Sequence, residues 1–112
     1  MKVNEKILNR LREALMDIPT IKEKTMFGGI CFLVADKMCI CVRDDRLMCR
    51  VGPAVYDQCL EIPGCEPMRH GKRFVKGYVF VYEEAFSNPA SFDHWISLAL
   101  KYNRELNNPN SG

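Results

Sequence analysis

The chain has 112 residues, 47% hydrophobic and 27% charged, with a formal net charge of +2. That length makes one domain with a core of its own, and the composition is that of an ordinary globular protein. So small a net charge gives no argument for general nucleic-acid binding, and any such contact has to come from a local patch. No run approaches the apolar length of a membrane span. The charged opening MKVNEKILNRLREAL is no signal peptide, so the expected compartment is the cytoplasm.

Asn4 to about Asp17 reads as an amphipathic helix. Ile7, Leu8, Leu11, Leu15 and Ile18 recur at helical spacing, Asn4 suits the N-cap, and Pro19 ends the run. The stripe is expected to pack on a sheet; a partner-binding helix is the sharper alternative. Thr20 to Thr25 reads as a polar connector. In Met26-Phe27-Gly28-Gly29 the paired glycines are not followed by a phosphate-loop lysine and serine or threonine, so they read as a turn or bulge where a strand starts.

Three strands follow: Ile30 to Ala35, Met38 to Arg43 and Arg46 to Val51. Asp36-Lys37 and Asp44-Asp45 stand between them as two-residue turns. Such short loops require an antiparallel meander. With these turns Arg43 faces Arg46, Cys41 faces Met48, and Leu33 faces Ile40. One face then holds Cys31, Leu33, Met38, Ile40, Val42, Leu47, Cys49 and Val51 and is expected to be the core. The other holds Phe32, Val34, Cys39, Cys41, Arg43, Arg46, Met48 and Arg50.

Gly52-Pro53 stops the third strand, and Pro53 to about Leu60 reads as a short helix burying Val55, Cys59 and Leu60. Glu66 to His70 and Phe74 to Tyr82 read as a hairpin turning at Gly71-Lys72, with a bulge or close approach at Gly77. The basic cluster Arg69, His70, Lys72, Arg73 and Lys76 lies around that turn. Pro89 or Ser91 opens a last helix, running to about Leu106, with Phe92, Trp95, Ile96, Ala99, Leu100 and Tyr102 on its apolar stripe. Residues 1–106 make one domain and 107–112 a flexible tail. The fold class is α+β: a two-layer sandwich of an antiparallel sheet and helices, in the order α-β-β-β-α-β-β-α.

Six cysteines raise two sharper readings. A disulfide framework belongs to secreted chains. Structural zinc wants four converging ligands, often from CxxC knuckles, and here Cys39 and Cys41 are spaced CxC. The plainer expectation is that Cys31 and Cys49 are small core residues, with Cys39 and Cys41 partly exposed and open to oxidation. Neither His70 nor His94 is tied to a nucleophile, and no GxSxG elbow or cofactor motif occurs. A non-enzymatic protein without catalytic, cofactor-binding or metal-ligating residues is therefore expected.

At MFGGICFLVADKMCICV (26–42), DRLMCRVGP (45–53), PGCEPM (63–68), KGYVFV (76–81) and FDHWISLAL (92–100) the chain resembles the N-terminal domain of the TfoX/Sxy competence regulators. The resemblance covers nearly the whole chain. It implies a two-layer α+β fold, no catalytic residues, and a role in regulation of the kind that promotes DNA-uptake genes in some bacteria. Family regulators carry a second, C-terminal domain, so this chain is expected to be a stand-alone N-terminal domain.

Three functions compete. The first is a regulatory or interaction module acting through protein partners, with Phe32, Arg43, Arg46, Met48 and Arg50 as the binding face. The second is nucleic-acid binding through Arg69, Lys72, Arg73 and Lys76, helped by Phe74 and Tyr78. The third is redox chemistry at Cys39 or Cys41. An unpaired sheet edge could also support a homodimer.

Overall fold

The computed structural model describes residues 2–108. Its elements run α1 (Glu5–Leu15), β1 (Ile21–Met26), β2 (Gly29–Val34), β3 (Lys37–Arg43), β4 (Arg46–Arg50), α2 (Tyr56–Leu60), β5 (Cys65–His70), β6 (Arg73–Val81), a single 3-10 turn at Glu83–Ala85, and α3 (Pro89–Asn107). The six strands form one antiparallel sheet in the order β1-β2-β3-β4-β6-β5. The α+β expectation holds, with one strand more than the sequence announced.

That extra strand is β1, which corrects the polar connector read over Thr20 to Thr25. Ile21 pairs with Val34 and Met26 with Gly29. Lys22, Glu23, Lys24 and Thr25 between them are exposed. An edge strand bonds through its backbone and needs no apolar face, and charged side chains suit such an edge. Arg12 of α1 clasps Glu23 with two hydrogen bonds of 2.8 Å.

The helices form as their caps and stripes dictate. The Asn4 side chain accepts hydrogen bonds from the Lys6 and Ile7 backbone N–H groups, and α1 buries Ile7, Leu8, Leu11 and Leu15. Asn88 and Ser91 cap α3 reciprocally, and Pro89 occupies its first turn. Phe92, Trp95, Ile96 and Ala99 are buried, and Trp95 Nε1 donates to the Ala85 carbonyl at 2.9 Å. α2 is shorter than expected and buries Tyr56 and Cys59. Asn107 closes α3, so it does not belong to a tail; residues 109–112 of the expected tail lie outside the described residues.

The β2–β3 register differs from the expected one, with large consequences. The turn is Ala35-Asp36, not Asp36-Lys37: both residues have left-handed φ, 52° and 65°, and Val34 pairs with Lys37. Leu33 therefore faces Met38, and Phe32 faces Ile40. Cys39 is an extra residue between those two pairs, forming a bulge. A shift of one residue moves every side chain of a strand to the other face. Phe32 and Val34 accordingly join Cys39, Ile40, Val42, Leu47, Cys49 and Val51 under the helices. Cys31, Leu33 and Met38 pass to the opposite face. Phe32, expected beside the arginines, is 1% exposed within the core. Burying the phenyl ring against the helices is the more stabilising choice, since an aromatic ring removes the largest apolar area from water. The β3–β4 register is the expected one: Arg43 faces Arg46 and Cys41 faces Met48.

The shift also sets Cys31 directly opposite Cys41, with Cα atoms 4.0 Å apart, and the two are joined by a disulfide. This corrects the reading of Cys31 as an unpaired core residue and of Cys41 as partly exposed: the two are bonded, and Cys41 is buried. Cys39, Cys49, Cys59 and Cys65 are free and buried, so Cys39 is not partly exposed.

Candidate ligand pocket on the open sheet face

One side of the sheet carries the helices and the main core. The other side has its own apolar cluster: Cys31, Met38, Cys41, Met48 and Met68, flanked by Met26, Leu33, Tyr78 and Phe80. None of these residues comes from a helix. Four of the six methionines of the chain, Met26, Met38, Met48 and Met68, lie here.

Within this face is a pocket of about 240 Å³ lined from all six strands or the turns between them. The floor is formed by Cys41, Met48, Met68 and Phe80, and Met26, Phe27 and Gly29 close one side. Arg43, Arg69 and His70 complete the wall. Neighbouring strands lie about 4.8 Å apart, so a flat sheet of this size would hold its edges roughly 24 Å from each other. Strand β1 and strand β5 meet at so small a pocket because the sheet curls around it.

The Phe27-Gly28 turn makes the rim. Phe27 has a left-handed φ of 53° and is 43% exposed. That conformation is uncommon for a bulky side chain and is imposed here by the two-residue hairpin turn, which takes positive φ at Phe27 and at Gly28. A Cβ on Gly28 would sit 3.4 Å from Arg43 Nε, so the guanidinium lies across this turn. Gly29 is required for a different reason: a Cβ there would collide with the Val42 carbonyl oxygen. The turn at Gly28 is the one the sequence suggested; the close strand approach at Gly29 is an addition to that reading.

The arginines of this face are held by rings more than by carboxylates. Arg46 lies 4.8 Å from the Phe80 ring centre and 5.8 Å from that of Tyr82. Arg50 lies 5.3 Å from Tyr78 and 5.7 Å from Tyr102. Their Nε atoms are buried without a hydrogen-bond acceptor, and the π faces offset part of that cost. Asp44 Oδ2 stands 3.9 Å from Arg43 Nε and 3.7 Å from Arg46 Nη1, an ion pair without hydrogen-bond geometry.

Of the residues expected to bind a partner, Arg43, Arg46, Met48 and Arg50 lie on β3 and β4 as anticipated, with Met48 buried in the apolar floor; Phe32 does not belong with them. Of the basic cluster, Arg69, Lys72, Arg73 and Lys76 are all exposed on the β5–β6 hairpin. Arg69 and the neighbouring His70 reach the pocket, Lys72, Arg73 and Lys76 do not, and the Arg69 guanidinium lies 5.1 Å over the Phe74 ring. Sequence reasoning missed Met26, Met68 and Phe80. Their one visible signal was the methionine count, six in 112 residues, and for Phe80 the alternation of its strand, neither of which places them together until the curl of the sheet is known.

Burial pushes the Cys39 thiol up to about 12, with nearby Arg50 opposing. Cys65 is likewise pushed up to about 12 by burial, and Cys49 well above the ordinary thiol value. Thiols held protonated in this way are poor nucleophiles and metal ligands. Among the described residues no group of three or more His, Cys, Asp or Glu side chains is placed to hold a metal ion. No helix among them is long and apolar enough to cross a membrane.

The family model of the TfoX N-terminal domain matches residues 13–102. The chain belongs to the TfoX N-terminal domain family. The match begins within α1 and ends within α3, so every strand and every residue lining the pocket falls inside this TfoX N-terminal domain. A comparison with curated proteins returns no match.

Proposed function

We propose that this TfoX N-terminal domain is a small non-enzymatic regulatory module of the cytoplasm that acts by binding a protein partner on its open sheet face. The observation that carries this reading is the concentration of four methionines and three arginines on the one face whose apolar cluster contains no helical residue. Methionine is flexible and polarizable and adapts to irregular partner surfaces. Arginine and aromatic residues are the groups that dominate interface energetics. Family membership is consistent with a role in transcription and competence regulation.

The test is recovery of partners from native cells, with nuclease, by the tagged wild-type chain and by an Arg46→Ala/Arg50→Ala variant whose folding is verified by circular dichroism. Loss of a wild-type partner supports the open face. Recovery of every partner by the variant overturns it.

The β5–β6 hairpin favours a second reading, nucleic-acid binding. Arg69, Lys72, Arg73 and Lys76 are exposed, and Phe74 beside them is 59% exposed, a base-stacking platform next to cations. This reading requires a complex with DNA or RNA at low salt that weakens steeply as salt rises; no complex at low salt removes it.

A further inference from the structure

We propose that the pocket between Phe27, Met68, Arg43 and Arg69 receives one large apolar side chain from an acidic segment of the partner. This rests on the reading that the open face binds protein, and names the chemistry the partner must carry.

Size comes first. The pocket measures about 240 Å³, whereas cavities that hold cofactors and drug-sized ligands run from about 300 to 1,000 Å³. It has room for one bulky side chain inserted from outside. The floor suits such a side chain: thioethers and an aromatic ring offer dispersion contacts and can shift to fit.

Charge comes second. The lining includes two guanidiniums and an imidazole, and no aspartate or glutamate. Among the described residues Arg69 and His70 have no ion-pair partner, and Arg43 has only the loose contact to Asp44 at 3.9 Å. Thioethers alone would suit a soft metal cation, but two arginines at the rim set the field against one. They favour carboxylates flanking an apolar anchor. The third observation is Phe27, a large apolar side chain left 43% exposed on the rim by the hairpin turn that carries it, where its ring can pack on the inserted group.

The experiment uses a short fluorescein-labelled peptide of glutamates around one central phenylalanine, titrated with the full chain and read by anisotropy. In parallel, the methyl signals of methionine report where it binds. Saturable binding that shifts the Met26, Met48 and Met68 methyls is expected. Replacing the peptide phenylalanine by alanine should weaken binding about tenfold or more, and so should Arg43→Ala/Arg69→Ala. Both arginines project from the pocket rim, so that variant keeps the fold. The proposal is overturned if the phenylalanine and alanine peptides bind alike, if the arginine variant binds as the wild type does, or if no saturable binding occurs up to millimolar peptide. A failed peptide titration alongside partner loss in Arg46→Ala/Arg50→Ala would retain the open face and reject the pocket. Specific peptide binding alongside full partner recovery by Arg46→Ala/Arg50→Ala would uphold the pocket and reject those two arginines as partner contacts.

Discussion

Asn103, near the C-terminal end of α3, donates from Nδ2 to the carbonyl oxygen of Val34 at 3.1 Å. Asn103 is the one buried polar side chain of the described core, and Val34 is the last residue of β2. Lys37 Nζ donates to the Leu106 carbonyl at 3.0 Å nearby. The C-terminal half of α3 therefore clamps the β2–β3 turn, the same turn that decides which face of β2 meets the helices. Asn103→Ala strands the Val34 carbonyl in a buried setting and should cost about 1–3 kcal/mol. For a domain of this size each kcal/mol lowers Tm by about 4–8 °C, which thermal unfolding followed by circular dichroism will show.

Ala35 pays the conformational cost of that turn. It holds a φ of 52° without a glycine's freedom, next to Asp36 at 65°. A left-handed alanine costs about 1–2 kcal/mol, and the two-residue hairpin turn is best served by asparagine or glycine. Ala35→Gly or Ala35→Asn should raise stability by about 0.5–1 kcal/mol, measured as a higher urea midpoint at unchanged m value. A lower midpoint would refute the strain at this residue.

The Cys31–Cys41 disulfide closes a loop of sequence separation 10. Loop-closure entropy for so short a span amounts to roughly 2.5 kcal/mol. Reduction, or Cys31→Ala/Cys41→Ala, should therefore lower the urea midpoint of the oxidised chain while leaving the circular dichroism spectrum of the fold unchanged. Equal midpoints before and after reduction would show that the bond adds nothing to stability.

The buried thiols predict an alkaline limit. An unfolded thiol ionises near 9.0, whereas Cys39 and Cys65 in the fold are pushed up to about 12 by burial. Their folded values are raised, so their contribution is complete below about pH 9 and is lost as pH rises toward 12. Urea midpoints should be flat through neutral pH and fall above about pH 9. Cys39→Ala should make that fall shallower; an unchanged slope would rule out Cys39 as a source.

Much of this arrangement was legible in the sequence. Alternating apolar residues and two-residue turns led to the meander, and the Asp44-Asp45 turn led to the correct β3–β4 pairing. Helical spacing and caps led to α1 and α3. The failures have physical causes. Strand β1 is Ile-Lys-Glu-Lys-Thr-Met, and its strand character comes from pairing with β2, not from its own side chains. An alanine at a left-handed position is a poor turn signal, so the β2–β3 turn was placed one residue late. Cys39 as a bulge is set by tertiary packing. In the pocket, Arg43 and Met48 followed from strand alternation. Met26, Met68 and Phe80 did not, because bringing β1 and β5 to one place depends on how far six strands coil.

The strand order has a kinetic meaning. Every pair of neighbours in the sheet is closed by a tight hairpin except one, the seam where Leu47 through Arg50 of β4 meet Tyr78 through Val81 of β6. Hairpins form with little loop entropy to overcome, whereas that seam must bring together segments about thirty residues apart. The seam is where the folding barrier should lie. Weakened contacts across Cys49 and Val79 would slow folding, while equal damage within the β1–β2 hairpin would mainly quicken unfolding.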